Sequence, residues 1–588
     1  MRALGYRTVD ALVDWLADES RPPLRRASPT EMAERLGGLR PDGFDAALRT
    51  LFEDVLPYTS RGDHPRFFAY VPFAGTWPGA LGDFIASAAN VYAGSWQEGA
   101  GPTQLEVELL GWFRDWVGYP DGAAGSLLSG GSAANLSAIA CAREALVGAM
   151  RDDLVIYTSD QAHSSVGRGA RILGFRPDQL RVLPVGEDLR LEPATLAAAV
   201  AADRSAGRTP FMIVANGGAT SSGVVDPLGE LAAVAREESA WLHVDAAYGG
   251  FAILTERGRA RLAGIEQADS ITLDPHKWLY QPYECGCLLV RDGRALRRAF
   301  EISSDYLRDA EADEGVVNFA DYGLQLSRTS RAFKLWLSLA TFGLDAFREA
   351  IDRTLDLAEL ARGRIDASET LELVAPPSLS IVCFRHRTKD TDGLVAALEQ
   401  SGLGLISSTR VHGESALRLC ILGHATTAQD VEAVLAFLET AEPVAAGGGG
   451  YDPHLPMPAT VSLFARLGAE EQAAFDELAV ERRAAAGETL VERWDQSRDF
   501  YVLEDGLAEV LVEGEVVNTL RPGDYFGEIA ALEWGAGFAR SRAATVVARE
   551  ELRLRVLTPE ALDALFDRFP QLEDEIRRTA HERLRRAR

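Results

Sequence analysis

Up to about Glu439, apolar residues fall in short unbroken runs. From Glu481 onward they fall in shorter, turn-separated runs, so two architectures are predicted. The runs Leu154–Tyr157 (LVIY), Phe211–Ala215 (FMIVA), Trp241–Val244 (WLHV), Ser270–Leu273 (SITL) and Cys287–Val290 (CLLV) are strand-sized. Buried parallel strands, covered on both faces, read in this way. Helical patterns separate several of them, as in Pro227–Glu238 (PLGELAAVAREE). Strand–helix alternation predicts right-handed crossovers and an open sheet, with ligands at the carboxyl ends of its strands. After Leu371 a smaller α+β segment begins, and it closes with a helix over Thr427–Leu438.

The later rhythm is different. GETLVERW, FYVLEDG, AEVLVEG and EVVNTLRPGDYF are short β runs with turn residues between them. They predict a β-roll or barrel flanked by helices, the last pattern covering Thr558–Arg588. Between the two regions, Ala441–Pro458 holds four consecutive glycines and four prolines, the composition of a flexible linker. The expected organisation is an N-terminal helical segment (1–60), a large domain (61–360), a small α+β domain (361–440), a linker (441–458) and a C-terminal β-roll domain (459–588).

Composition narrows the function. Of the 588 residues, 47% are hydrophobic, which excludes a disordered chain. A net charge of -27 argues against nucleic-acid binding, which needs clustered positive charge. The amphipathic N-terminus has no signal-peptide pattern, and no apolar stretch is long enough to span a membrane. Five scattered cysteines, with Cys285-Gly-Cys287 lacking the CxxC spacing, fit a reduced, cytoplasmic setting. No metal-ligand cluster is read. Only three of the 60 basic side chains are lysines, at 277, 334 and 389, so a lysine inside a functional-looking segment needs a reason.

Four segments carry chemistry. In Ser270-Ile-Thr-Leu-Asp-Pro-His276-Lys277-Trp278, a lysine directly follows a buried strand. An apolar neighbourhood there would favour the neutral amine needed for a Schiff base. In Trp241-Leu-His-Val-Asp245-Ala-Ala247, an acid ends an apolar strand and needs either a cationic partner, such as a pyridinium nitrogen, or a helix to cap. Leu127-Leu-Ser129-Gly130-Gly131-Ser132-Ala-Ala-Asn135 places small residues between a strand-like run and a helix. Such a segment is a phosphate cradle or a plain loop. In Tyr157-Thr-Ser-Asp-Gln-Ala-His163-Ser-Ser165, an imidazole follows a strand, where it can stack on a ring or cap the next helix.

In this order the four segments resemble the group II pyridoxal-phosphate decarboxylases, the aromatic-L-amino-acid decarboxylase family. The resemblance runs to Glu439 and includes HPRFFAYVP (His64–Pro72), Ser95-Trp96 and Thr103-Gln-Leu-Glu106. It implies an α/β fold of the PLP-dependent transferase type I, with a mostly parallel seven-stranded sheet. It also implies pyridoxal 5′-phosphate as cofactor and a homodimer with sites near the subunit interface. Carried over, Lys277 joins the cofactor as a Schiff base, Asp245 pairs with its pyridine nitrogen and His163 stacks on its ring. Gly131 and Ser132 hold its phosphate, and Thr220, Ala247 and His276 line it. Ala219 stands where the family usually has Thr, an expected loss of one hydrogen bond near the cofactor.

The implied activity is decarboxylation of an L-amino acid to its amine, with an aromatic substrate such as tyrosine, DOPA, phenylalanine or tryptophan. Tyr306, in Phe300–Asp309, matches the loop tyrosine that returns a proton to Cα, and the acidic stretch Ala310–Val317 matches a lid. Phe at that position accompanies aldehyde-forming relatives. The alternatives are a non-aromatic substrate, an aldehyde-forming reaction, or a nucleotide-responsive sensor with vestigial activity. Pocket-wall positions are Tyr70, Phe73, Tyr92, Gly94 and Ser327. Phe73 is bulky, and Gly62 small, relative to the animal enzymes.

The C-terminal region resembles a cyclic-nucleotide-binding domain through Gly487-Glu488, Tyr501–Gly506, Gly523-Asp524-Tyr-Phe526-Gly527-Glu528 and Arg542-Ala-Ala-Thr545. There Gly527, Glu528 and Arg542 would meet cAMP or cGMP. The span from Glu528 to Arg542 is longer than usual, and Arg540 could replace Arg542. The tail after the last helical pattern is too short for a helix-turn-helix.

Overall fold

The computed structural model describes residues 1–18, 21–37, 43–301, 316–444, 469–492, 499–512, 515–522, 524–527, 544–569, 572 and 576. They divide into two units at Ala445/Ala446, inside the stretch read as a linker.

In the first unit seven strands form one sheet: β1 (Ala124–Leu128), β2 (Leu154–Ser159), β3 (Leu180–Leu183), β4 (Thr209–Asn216), β5 (Trp241–Asp245), β6 (Ser270–Leu273) and β7 (Gly286–Val290). Their spatial order is β1-β7-β6-β5-β4-β2-β3. The pairs β5–β6, β4–β5, β2–β4 and β2–β3 are parallel. β7 runs against both β1 and β6, so the Cys287–Val290 run is not one of the parallel strands. A strand buried on both faces reads alike in either direction, which is why the pattern alone misassigned it.

The strands alternate between two apolar cores. Leu154 and Ile156 of β2 enter one, and Val155 and Tyr157 the other. On β4, Met212 and Val214 oppose Ile213 and Ala215 in the same way. Six strands therefore share a direction, and β1, β2, β4, β5 and β6 deliver their following loops to one edge. In open α/β sheets ligands bind at that edge.

The small sheet, β8 (Leu371–Leu373), β9 (Ile381–His386), β10 (Ser407–Val411) and β11 (Glu414–Cys420), is antiparallel in the order β10-β11-β9-β8. The segment HPRFFAYVP is stitched onto it. Phe68 N–H donates to Leu405 O at 2.7 Å, and Cys420 N–H donates to Phe68 O at 3.0 Å. That pairing buries Phe67 and Phe68. A helix over Ala332–Asp366, interrupted at Gly343 with φ 75°, runs across the expected 360/361 division. The region before residue 60 is helical, with helices over Arg2–Ala17, Pro29–Leu36 and Phe44–Arg49.

The second unit holds two four-stranded antiparallel sheets. They are built from β12 (Val480–Ala484), β13 (Thr489–Val491), β14 (Phe500–Asp505), β15 (Ala508–Val512), β16 (Glu515–Leu520), β17 (Tyr525–Phe526), β18 (Thr545–Ala548) and β19 (Leu552–Leu557). The orders are β12-β19-β14-β17 and β13-β18-β15-β16. Along β14, Phe500 and Val502 enter a core shared with helices Ala469–Leu478 and Pro559–Arg568. Tyr501 and Leu503 enter a second core shared with β13, β15 and β18. This is the period-2 signature of a strand covered on both faces.

Candidate active site

A cavity of about 300 Å³ opens at the carboxyl edge of the large sheet. Most of its lining comes from five segments at the ends of five different strands: Ser129–Ala133, then His163 and Ser165, then Gly218 and Thr220, then Asp245, Ala247 and Tyr248, and last Asp274, His276 and Lys277. Lys277, His163, Asp245, Ala247, Gly131, Ser132, Thr220 and His276 are thus brought together.

Lys277 does not sit in the purely apolar surroundings expected of it. Its Nζ lies 3.0 Å from Asp274 Oδ2, because the turn after β6 brings positions 274 and 277 together. Asp274 is 2% exposed, and its Oδ1 has no hydrogen-bond partner. His276 also faces this carboxylate, at 3.5 Å through Nε2, while its Nδ1–H donates to Cys285 O at 2.6 Å. Burial pushes the His276 imidazole below its ordinary range, despite the nearby Asp274 charge.

Behind the cavity lies a polar ladder. On β5 the alternation places Trp241, His243 and Asp245 on one face, and on β6 it places Ser270 and Thr272 on one face. The register pairs His243 with Ser270 and Asp245 with Thr272. The opposite faces, Leu242 with Val244 and Ile271 with Leu273, are apolar core. Asn135, from the helix Gly131–Leu146, closes over the ladder. Asp245 accepts from Asn135 Nδ2 at 2.7 Å and from Ala247 N–H at 3.2 Å.

Of the two roles left open for it, His163 takes the cap, and it also faces the cavity. It lines the cavity, and its Nδ1 accepts from Ser165 N–H at 3.2 Å as the cap of the helix Ser164–Ile172. Burial lowers its pKa, chiefly against the pull of Asp245.

These residues fit pyridoxal phosphate. No side chain caps the 16-residue helix at Gly131, and Gly131, Ser132 and Ala133 of its first turn line the cavity. An uncapped helix N-terminus presents N–H groups and a positive dipole end to a phosphate. A side chain at Gly131 would crowd Ala247 Cβ at 3.0 Å and Asp274 Oδ2 at 3.1 Å. Gly286 is needed for a related reason: a Cβ there would strike Gly130 Cα at 2.4 Å, so the loop nests against the start of β7 because position 286 is glycine. A primary amine, a buried carboxylate and an imidazole complete the donor set. Ala219 is absent from the lining; its backbone closes a turn with Val224 and Gly223.

Several determinants were not read from the sequence. Arg418 of β11, 3% exposed, donates to the carbonyls of Thr220, Ser221 and Tyr70, tying the small sheet to a cavity loop. Lys334, also 3% exposed, donates to Pro282 O at 3.1 Å and Glu284 O at 3.2 Å, and pairs with Asp83 at 2.7 Å. It pins the loop carrying Tyr283, which stacks on Phe73 at 4.8 Å and meets His276 edge-on at 4.8 Å. Glu106 and Arg328 form a buried pair at 2.7 Å, with Leu127 N–H donating to the same Glu106 oxygen. For Arg418 and Lys334 the sequence signal was a charged side chain within an apolar segment; Glu106 stood in the Thr103–Glu106 motif without its partner.

The positions read as pocket walls lie outside the Lys277 cavity. Tyr70 and Ser327 are exposed, and Tyr92 is half-buried with its hydroxyl packed toward Gly94. Phe73 reaches the cavity only through Tyr283 and His276. Tyr306, Glu528, Arg540 and Arg542 lie outside the described residues. Gly527 is described, with φ 93°. Among the described residues no cluster could hold a metal ion, and no helix is long and apolar enough to cross a membrane. All five cysteines are free and buried.

Comparison with known proteins agrees with this geometry. The pyridoxal-dependent decarboxylase conserved domain matches residues 39–387, and the cyclic nucleotide-binding domain matches residues 481–569. The chain is 38% identical over 446 residues to the aromatic-L-amino-acid decarboxylase of Bacillus atrophaeus, covering 73% of this chain and 93% of that protein. It is 29% identical over 451 residues to a tyrosine decarboxylase of Papaver somniferum, covering 72% and 88%. A solved structure of Oryza sativa TDC with PLP and tryptamine superposes with a TM-score of 0.71 at 31% identity, covering 74% of this chain and 96% of that one.

Proposed function

The chain belongs to the pyridoxal-dependent decarboxylase family, and from that premise we propose that it converts aromatic L-amino acids to their amines and CO2 around Lys277. The observation that carries this reading is the convergence of the Lys277 amine, the Asp245 carboxylate and an uncapped helix start in one cavity.

Bound pyridoxal phosphate supplies the electron sink for the pair left at Cα when CO2 departs. The protein supplies attachment, orientation and proton control. Lys277 Nζ is the covalent anchor, and the first turn of the helix from Gly131 holds the phosphate through its N–H groups. Asp245, braced by Asn135, keeps a proton on the ring nitrogen. His163, fixed by its cap on the following helix, is the residue that would stack on the ring. Tyr306 returns a proton to Cα, so the product is the amine.

The reading extends to a homodimer. Trp77, Leu81, Phe84 and Ile85 of the helix Trp77–Ala88 are exposed, as are Leu324 and Leu326 beside Ser327. The four helix residues recur three, four and eight positions apart, an apolar stripe that supports a partner such as a second copy of the chain. The cyclic nucleotide-binding domain makes cAMP and cGMP the effectors to test. Heat of binding with a changed turnover rate supports regulation, whereas no heat and no change makes the domain a structural appendage.

The substrate reading is tested with a panel of L-amino acids: tryptophan, tyrosine, DOPA, phenylalanine, histidine and glutamate. CO2 and the organic product are both measured with the cofactor present. Amines from the aromatic members are expected. An aldehyde product, or turnover confined to glutamate, would overturn it.

A further inference from the structure

Asp245 and His163 share one support, the amide of Asn135. Asn135 Nδ2 lies 2.7 Å from Asp245 Oδ2 and 2.8 Å from Ser165 Oγ, and Ser165 Oγ lies 2.7 Å from His163 Nδ1. On its other side, Asn135 Oδ1 lies 2.7 Å from Thr272 Oγ1 and 3.0 Å from His243 Nε2. Asn135, Ser165, His243, Ser270 and Thr272 are all buried.

The proton positions follow from what each group can do. Turning the amide over would set a carbonyl oxygen against the Asp245 carboxylate, so Nδ2 faces Asp245. A carbonyl oxygen only accepts, so Thr272 Oγ1–H and His243 Nε2–H both donate to Asn135 Oδ1. Burial holds His243 neutral, with its pKa down at about 4, which leaves its Nδ1 bare. Ser270 Oγ–H therefore donates to Nδ1 at 2.8 Å, and Ser270 Oγ in turn accepts the indole N–H of Trp241 at 2.8 Å. On the cavity side both amide protons are committed, one to Asp245 and one to Ser165. Ser165 Oγ–H is then free to donate to His163 Nδ1, which leaves the proton of a neutral His163 on Nε2. In this arrangement each donor in the series meets an acceptor.

We propose that Asn135, oriented by His243 and Thr272, is a positioning residue that fixes the aim of the Asp245 carboxylate, and through Ser165 fixes the His163 ring beside it. The inference rests on the reading of Asp245 as the partner of the cofactor's ring nitrogen. Asn135 itself touches no reacting atom in this scheme; it acts through Asp245 and His163.

The test uses the loaded enzyme and two readouts, the pH titration of its visible cofactor band and kcat/KM. In Asn135→Asp a second carboxyl stands at hydrogen-bond distance from Asp245, and the two must share a proton. The band's titration is expected to shift, and kcat/KM to fall about 10- to 100-fold, the scale of one charge-assisted hydrogen bond. Thr272→Val removes one donor to the Asn135 carbonyl with little change of shape, and is expected to give a smaller shift in the same direction. It keeps the test decisive if Asn135→Asp folds poorly. A structural role alone would lower thermal stability and leave the band's titration in place. An unmoved titration in the variants would overturn the inference. Asp245→Asn separates the two levels: if it too leaves titration and turnover unchanged, the reading of Asp245 fails. If it abolishes both while Asn135→Asp and Thr272→Val do nothing, only the role of Asn135 fails.

Discussion

Lys277 Nζ and Asp274 Oδ2 lie 3.0 Å apart across a single turn, so the amine proposed as the anchor is held in an ion pair, in the cavity that the helix start at Gly131 also lines. An amine engaged with a carboxylate must leave it before it can attack an aldehyde. Asp274→Asn is therefore expected to speed covalent loading of stripped protein by on the order of tenfold, the scale of one charge-assisted hydrogen bond. Stopped-flow absorbance after addition of pyridoxal phosphate measures this. Slower growth of the visible band would show that Asp274 assists the attack, and unchanged growth that the ion pair does not hold the amine back.

Gly62 and Phe73 are complementary. A Cβ on Gly62 would come within 2.5 Å of the Phe73 ring, which also meets Phe67 edge-on at 5.5 Å. Gly62→Ala is expected to cost about 1–3 kcal/mol by overpacking. Phe73→Leu in the same chain should recover most of it, because the two changes share one space. Thermal unfolding of the single and double variants checks the coupling; additive losses would contradict it.

His243 makes stability depend on pH. Its folded pKa, about 4, lies below the ordinary 6.5, so between these values the unfolded chain takes up a proton that the folded chain refuses. Its contribution is complete above pH 6.5 and is lost as pH falls through 4, amounting to about 3 kcal/mol at most. His243→Gln removes that one titration. The difference in Tm between the wild type and this variant is expected to shrink from pH 7 toward pH 5. A constant difference would mean that His243 takes up its proton over the same pH range folded as unfolded.

Much of this was legible in the residues. Apolar runs marked β2, β4, β5 and β6, and the polar ends of those runs marked Asp245 and Lys277, because a charge beside a buried strand must have a partner. The direction of β7 was not legible, since a strand covered on both faces carries no polarity signal. The edge strand β3, with Val182 exposed, lacked an apolar run altogether. The ladder behind Asp245 was present in WLHVD and SITLD as polar residues at every second position. It becomes informative only once the register sets His243 beside Ser270. Asp274, Arg418 and the Gly62–Phe73 fit depend on turns and long-range approaches that local pattern does not encode. Lys334 resolves differently from Lys277: its three protons go to Pro282 O, Glu284 O and Asp83, so it holds a loop.

The scarcity of lysine allows a direct measurement of the central claim. The loaded protein is reduced with borohydride, which fixes the cofactor to whichever amine carries it, and is then digested and mapped by mass spectrometry. Only Lys277, Lys334 and Lys389 offer a side-chain amine. The cofactor mass is expected on the Lys277 peptide alone, and Lys277→Ala should abolish it. A label on Lys334 or Lys389, or no label on a protein that still turns over, would contradict the assignment.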